Sequence, residues 1–287
     1  MSSHTVLRIR PTDATLGAIV EGLDLRTLDR STWPAVEHAF HQYTVLVFPG
    51  QDLDEEAHLA FSRWFGPLER ATAIPRPGQR ADFTRVANTD GDGAVVNDAA
   101  SRVVQSLVGN QEWHSDSSFK RVAAKASILA AVVVPAEGGE TQFADMRAGY
   151  EALPLDERTH IDGLVAQHSF AGDGYLTEAE RQILAPVEHP IVHRHPVTGR
   201  SALFVGRHAR SVVGLDAAEG RRLIDDLREH ACRPPRIYTH RWSAGDIVVW
   251  DNRCVLHRGR PWDMAQPRVM RRLTIAGDGD GNEWLLE

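Results

Sequence analysis

The stretch Gln111-Glu112-Trp113-His114-Ser115-Asp116 places an imidazole and a carboxylate two residues apart in a segment that reads as extended. On a strand, residues i and i+2 project from the same face, so both side chains can reach one metal ion. A third ligand is offered far downstream: Asp246-Ile247-Val248-Val249-Trp250-Asp251 reads as a turn running into a buried strand, and His257 follows on the next extended piece. Two imidazoles and one carboxylate on one face of a metal, with the other face open, form the set that suits a non-haem Fe(II) that reacts with O2. The His-x-Asp pair alone is weak, because the chain holds 14 histidines and such a pair is ordinarily a solvated strand edge or a satisfied core histidine. The arginines beyond His257 add weight. Arg268 and Arg272 stand four apart, just before and within an apolar run ending Leu273-Thr274-Ile275-Ala276, which puts both on one face of a strand and Arg271 on the other. Two guanidiniums facing a pocket are costly to bury without anions, so the site expects anionic ligands.

The elements that must position these residues are mainly strands. A helix is expected over 31–43 with Ser31 or Thr32 as its cap, followed by the buried strand Thr44-Val45-Leu46-Val47-Phe48 and a second helix from Asp54 to Trp64. Between Gly66 and Val108 the chain is polar and reads as irregular, with a surface turn at 90–92 and, within 73–103, a lid that orders on substrate binding. The continuous run Ala126-Ser127-Ile128-Leu129-Ala130-Ala131-Val132-Val133-Val134, ended by Pro135, suits a strand buried on both faces. Residues 141–144 form another strand, 145–163 two short helices, 189–206 a hairpin around Pro196–Gly199, and Asp216 to Cys232 an amphipathic packing helix. His193 and His195 share a face of the hairpin but have no third ligand nearby in sequence, so they are read as loop and substrate-side residues. With no internal repeat and no composition break, residues 1–287 read as one domain, an antiparallel sandwich or barrel with helical flanks.

Composition sets the outer limits. Hydrophobic and charged fractions of 42% and 25% are those of an ordinary globular protein, and a net charge of -7 without a basic run speaks against nucleic acid. The N-terminus shows neither a signal peptide nor a membrane span, so a cytoplasmic protein with no membrane partner is expected. Two cysteines, Cys232 and Cys254, exclude a disulfide framework, and Cys254 is read as a buried, inert thiol.

Four motifs carry a family resemblance: Asn110–Asp116 (NQEWHSD), Gly138–Pro154 (GGETQFADMRAGYEALP), Gly245–Gly259 (GDIVVWDNRCVLHRG) and Arg268–Thr274 (RVMRRLT). In this order and spacing the chain resembles the taurine and 2,4-dichlorophenoxyacetate dioxygenases, which use Fe(II), 2-oxoglutarate and O2. The run from Val205 to Gly220 resembles the aryloxyalkanoate dioxygenases within that family. The resemblance implies a jelly-roll, cupin-like double-stranded β-helix with flanking helices and a metal held by His114, Asp116 and His257. It also implies that Arg268 and the Thr141 hydroxyl hold the distal carboxylate of 2-oxoglutarate, that Trp250 lines the pocket, and that Asn110 lies near the substrate. Asp251-Asn252-Arg253 is expected to fix the turn that aims His257. One 2-oxoglutarate needs only one distal clamp, so Arg272 has no partner unless an anionic primary substrate brings one; the alternative is a surface or barrel-end arginine paired with a nearby Asp or Glu. A homo-oligomer is also expected. The implied reaction is hydroxylation of a small anion: an aryloxyalkanoate, or else a sulfonate, a sulfate ester or another small carboxylate. A metal-binding barrel without turnover and a zinc hydrolase are the alternatives from other classes, and neither needs a clamp for a 2-oxo acid.

Overall fold

The computed structural model describes residues 7–69, 83–170, 177–178 and 184–278. Its largest sheet has seven strands, in the order Arg8–Pro11, Ala18–Glu21, Val45–Phe48, Ile247–Asp251, Ala126–Val133, Val269–Ile275 and Thr84–Ala87. Strands from both ends of the chain therefore lie side by side, and Val45–Phe48 and Ala126–Val133 both pair antiparallel with Ile247–Asp251. The central strands are almost continuously apolar because both faces of the sheet are covered. Alternate residues divide between two cores, as a period of two demands. Val45, Val47, Leu129, Ala131, Val248 and Trp250 face one core, while Leu46, Phe48, Ile128, Ala130, Ile247 and Val249 face the other.

The helices Trp33–Tyr43 and Glu55–Ser62 close the second core with Val36, Ala39, Phe40 and Phe61. Asp54 caps the shorter helix by accepting from the Ala57 amide. At the longer helix neither Ser31 nor Thr32 caps; Asp29 instead accepts from both of their amides.

The first core is closed by smaller antiparallel sheets. One is built from Ile237–His240, Thr141–Asp145 and Val255–Gly259, another from Ala209–Val212, Val165–His168 and Val187–Pro190. The expected hairpin is present as Val192–Arg194 paired with Ser201–Leu203. Phe143, Ala144, Leu256, Ala166 and Leu203 from these sheets meet the large sheet. The Ala217–Ala231 helix adds Ile224 and Leu227. The result is a two-layered jelly-roll with the helices outside, as the sequence implied.

The stretch 66–108 is less irregular than its polarity suggested. Thr84–Ala87 is the edge strand of the large sheet, paired with Val269–Arg272, and Arg102–Gly109 is a helix capped by Ser101. A four-residue edge strand exposed over its first half carries too little apolar pattern to be read locally. The surface turn at Asp90–Asp92 is as expected, with the Asp90 carboxylate accepting from the Asp92 and Ala94 amides. Of the lid expected within 73–103, residues 73–82 lie outside the described residues.

Candidate functional site

His114 and His257 meet because they are bridge partners. The His114 amide donates to the His257 carbonyl at 3.0 Å and the His257 amide to the His114 carbonyl at 2.8 Å, so the rings share one side, with centroids 4.1 Å apart. This corrects the reading of His114-x-Asp116 as part of a strand: the pairing is a single isolated bridge, and the chain then turns, with Ser117 at φ 56°. Asp116 reaches the imidazoles through that turn, its amide donating to the Asn252 side-chain oxygen at 3.3 Å. One potential ligand atom from each of His114, Asp116 and His257 lies within 4.8 Å of the other two, and all three residues are buried. Gly206 permits the crossing behind them, since a Cβ there would stand 3.1 Å from the His114 Cα and 3.3 Å from the Ser115 amide nitrogen.

The electrostatics of the three suit a divalent cation. The His114 Nδ1 lies 2.8 Å from the Glu112 carbonyl and so carries the proton and donates, leaving the Nε2 lone pair free. In His257 the Nδ1 is buried without a partner among the described residues. Burial holds both imidazoles below the usual histidine range, and for His257 the neighbouring His114 pushes the same way. Burial acts in the opposite sense on Asp116, but its charged surroundings, the Arg272 guanidinium foremost, outweigh it and keep the carboxyl below the usual range. Two neutral nitrogens and one ionised oxygen, aimed at a common point, fit an iron of this type.

A second trio, His41, His195 and Asp251, also has its potential ligand atoms within 4.8 Å of one another, so the expectation that His195 has no third partner nearby is corrected. His195 and Asp251 are nevertheless already engaged. The His195 Nδ1 accepts from the Val197 and Thr198 amides, so its Nε2 donates to the Asp251 carboxylate at 3.0 Å. Asp251 is further bracketed by the Arg253 guanidinium at 2.8 and 2.7 Å. No lone pair of His195 remains for a metal, and the cluster is a clasp on the turn that leads to His257.

A cleft of about 520 Å3, part of it open to solvent, runs up to the imidazoles. Asn110, Thr141, Trp250, Arg268 and Arg272 all line it, whereas His193 and His195, expected on the substrate side, are not among its lining residues. Val86, Leu107, Leu129 and Trp262 supply its apolar wall. Arg268 is buried and has no carboxylate within ion-pair distance among the described residues. Its Nε donates to the Gly139 carbonyl at 3.2 Å and its face lies over Trp262 at 5.2 Å, and burial pushes the guanidinium down to about 10. The Thr141 hydroxyl accepts from the Trp242 indole at 3.0 Å, which leaves its own hydrogen available. Trp250 packs 4.5 Å from the His257 ring, and the Asn110 carbonyl accepts from the Gly259 amide.

Arg272 does face the cleft, but it has a partner: its Nη1 donates to the Asp116 Oδ1 at 2.5 Å. The acidic partner left open as the alternative is thus present, and the expectation that only a substrate anion could pair with Arg272 is corrected. Arg271 points the other way, as expected, to the Leu53 carbonyl and Glu55.

Residues that the sequence did not single out hold this arrangement. The Asn88 side chain accepts from the Arg268 amide at 2.7 Å and donates to the Met264 and Gln266 carbonyls. Gly139, at φ +69°, lets Arg268 approach; a Cβ there would lie 3.1 Å from the arginine Cδ and Nε. Ser127 donates to the Asp116 Oδ2 at 2.6 Å, and the one signal for it was a lone hydroxyl in an otherwise apolar strand. Cys254 is buried and free, its thiol pushed well up by that burial, in keeping with an inert side chain. Among the described residues no helix is long and apolar enough to cross a membrane.

Comparison with known proteins agrees with this geometry. The family described as "Taurine catabolism dioxygenase TauD, TfdA family" matches residues 8–274. The chain is 43% identical over 279 residues to the alpha-ketoglutarate-dependent 2,4-dichlorophenoxyacetate dioxygenase of Cupriavidus pinatubonensis, covering 93% of this chain and 97% of that protein. It is 40% identical over 289 residues to the (S)-phenoxypropionate/alpha-ketoglutarate-dioxygenase of Delftia acidovorans, covering 96% of each. Among solved structures, AAD-2 in complex with Mn(II) and N-oxalylglycine superposes with a TM-score of 0.88 at 40% identity, covering 96% of this chain and 98% of that one.

Proposed function

The chain belongs to the TauD, TfdA family of Fe(II)- and 2-oxoglutarate-dependent dioxygenases, and from its cleft we propose that it hydroxylates an aryloxyalkanoate. One observation carries the reading: a buried guanidinium with no anion among the described residues, Arg268, and a second, Arg272, which shares the Asp116 carboxylate, face an apolar-walled cleft beside the His114, Asp116 and His257 trio. That cleft suits two anionic ligands, one of them with an apolar body. The two relatives above, named for phenoxy acids, support the same class.

In this reading His114, Asp116 and His257 hold the metal. Arg268 and the free hydrogen of the Thr141 hydroxyl take the distal carboxylate of 2-oxoglutarate, a task for which the planar guanidinium fork is suited. Fe(II) with 2-oxoglutarate and O2 supplies oxidative decarboxylation to succinate and CO2, coupled to hydroxylation of a substrate C–H bond. The protein orients the partners. Val86, Leu107 and Leu129 take the aromatic ring, and Arg272 takes the carboxylate, leaving Asp116 for it. Hydroxylation of the carbon beside the ether oxygen gives a hemiacetal or hemiketal, which collapses to a phenol and a 2-oxo acid.

The test is succinate and phenol release by the Fe(II)-loaded protein over a panel of phenoxyacetate, both phenoxypropionate enantiomers, taurine and an alkyl sulfate. The expected result is phenol and succinate in equal amounts from a phenoxy acid, abolished in His114→Ala and Asp116→Ala. Succinate release stimulated only by the sulfonate or the sulfate ester would overturn the substrate assignment. Unchanged turnover in either variant would overturn the metal site.

A further inference from the structure

Asp116 closes a ring of hydrogen bonds that metal binding alone does not explain. Its amide donates to the Asn252 Oδ1 at 3.3 Å, the Asn252 Nδ2 donates to the Ser127 Oγ at 2.9 Å, and the Ser127 hydroxyl donates to the Asp116 Oδ2 at 2.6 Å. The directions follow from counting donors. Asn252 Oδ1 faces two N–H groups, the second from the Trp250 indole at 2.9 Å, so the amide can stand only one way round. Its NH2 group then occupies an acceptor position of Ser127, and the single hydroxyl hydrogen goes to the carboxylate. Ser115 ties the same turn from the other side, its hydroxyl donating to the Asn252 carbonyl at 2.8 Å. Ser127, Asn252 and Trp250 are almost wholly buried, so no water competes for these bonds.

We propose that Ser127 and Asn252 are positioning residues that hold the Asp116 carboxylate in place for a divalent metal, presenting Oδ2 to the imidazoles. The proposal rests on the reading that His114, Asp116 and His257 hold that metal. Oδ2 is the oxygen 3.7 Å from the His257 Nε2, whereas Oδ1 is taken by Arg272. Arg272 alone does not do this work, because the proposed function directs it to an anionic ligand, and the carboxylate then keeps its orientation only through Ser127. Asp116 lies beyond a single bridge and within a turn, with no ladder on either side to hold it. The ring supplies that missing constraint from the large sheet, through Ser127 on Ala126–Val133 and Asn252 at the end of Ile247–Asp251. Hydrogen bonds to a ligating carboxylate raise metal affinity by fixing it beforehand, with losses of roughly 10–100-fold when they are removed.

The test compares Ser127→Thr with Ser127→Val, which have the same shape and differ in the hydroxyl. The readouts are Mn(II) affinity, measured calorimetrically or from the free-ion electron paramagnetic resonance signal, and the melting temperature of the metal-free protein. Val is expected to bind Mn(II) roughly 10–100-fold more weakly than Thr, with similar melting temperatures. Asn252→Ala is expected to weaken Mn(II) binding alone and to add little in the Ser127→Val background, because the ring is already open. Equal affinity in the Thr and Val variants, or fully additive losses in the double variant, would overturn the proposal. If neither larger side chain folds, Ser127→Ala removes one oxygen only, and wild-type affinity in it would be equally decisive. A wild-type protein that binds no Mn(II), or a His114→Ala variant that binds it as well as wild type, would instead refute the metal site itself.

Discussion

Replacing Arg268 by methionine keeps a buried stem of similar length against Trp262 and removes the charge. Among the described residues the guanidinium has one neutral acceptor, the Gly139 carbonyl at 3.2 Å, and burial alone moves it from 12.5 to about 10. At about 1.4 kcal/mol per pH unit, the uncompensated charge costs the ligand-free protein roughly 3 kcal/mol. A carboxylate arriving beside it recovers that cost and adds a charge-assisted pair. Arg268→Met should therefore weaken 2-oxoglutarate binding by about 2–5 kcal/mol, roughly 30-fold to several thousandfold in Kd. Free of its ligand, the same variant should be no less stable than wild type, because a buried unpaired cation has been removed and packing approximately kept. The assays are calorimetric titration of the Mn(II)-loaded, oxygen-free protein with 2-oxoglutarate, and urea unfolding without ligands. An unchanged Kd would show that another group is the clamp. A ligand-free variant destabilised by several kcal/mol would show that Arg268 is a structural cation with a partner, against the burial argument.

Arg272→Ala should weaken an anionic substrate by roughly 2–5 kcal/mol, seen in KM, while Mn(II) affinity holds or rises because a competitor for Asp116 is gone. Arg271→Ala should cost stability through the lost Leu53 and Glu55 contacts and leave KM unchanged, so two variants with the same kinetic profile would remove the substrate role of Arg272. Burial, helped by Arg271, holds the His58 imidazole at about 3, against 6.5 when unfolded, so between these values the unfolded chain binds the extra proton. Stability is full above pH 6.5 and falls as the pH drops through that window, by about 1.4 kcal/mol per pH unit for this residue. Unfolding free energies of wild type and His58→Leu between pH 4.5 and 6 should differ in slope by about that amount, and parallel curves would refute it.

The residues that the structure gathers around the cleft were named from the sequence because residue type and short spacing single them out. Arg268 and Arg272 four apart with Arg271 opposed, and the unbroken apolar run from Ala126, carry their geometry within a few residues, whereas His114 and Asp116 named the right residue types for a reason that the turn at Asp116 replaces. The jelly-roll itself needed the family motifs, since short strands with glycine and proline turns fit a sandwich as well as a barrel. What the tertiary structure decided is which polar group meets which. His114 faces His257 by a bridge across 143 positions and not by strand periodicity. Arg272 meets Asp116 across 156 positions, and Ser127 meets Asn252 across 125. The edge strand Thr84–Ala87 is made by its neighbour Val269–Arg272 and by little of its own. Propensity and period are properties of a chain segment, whereas the partner of a buried hydroxyl, amide or guanidinium depends on the register of two strands distant in sequence. A one-residue slip in that register would leave every ligand in the sequence unchanged and no metal site in the protein.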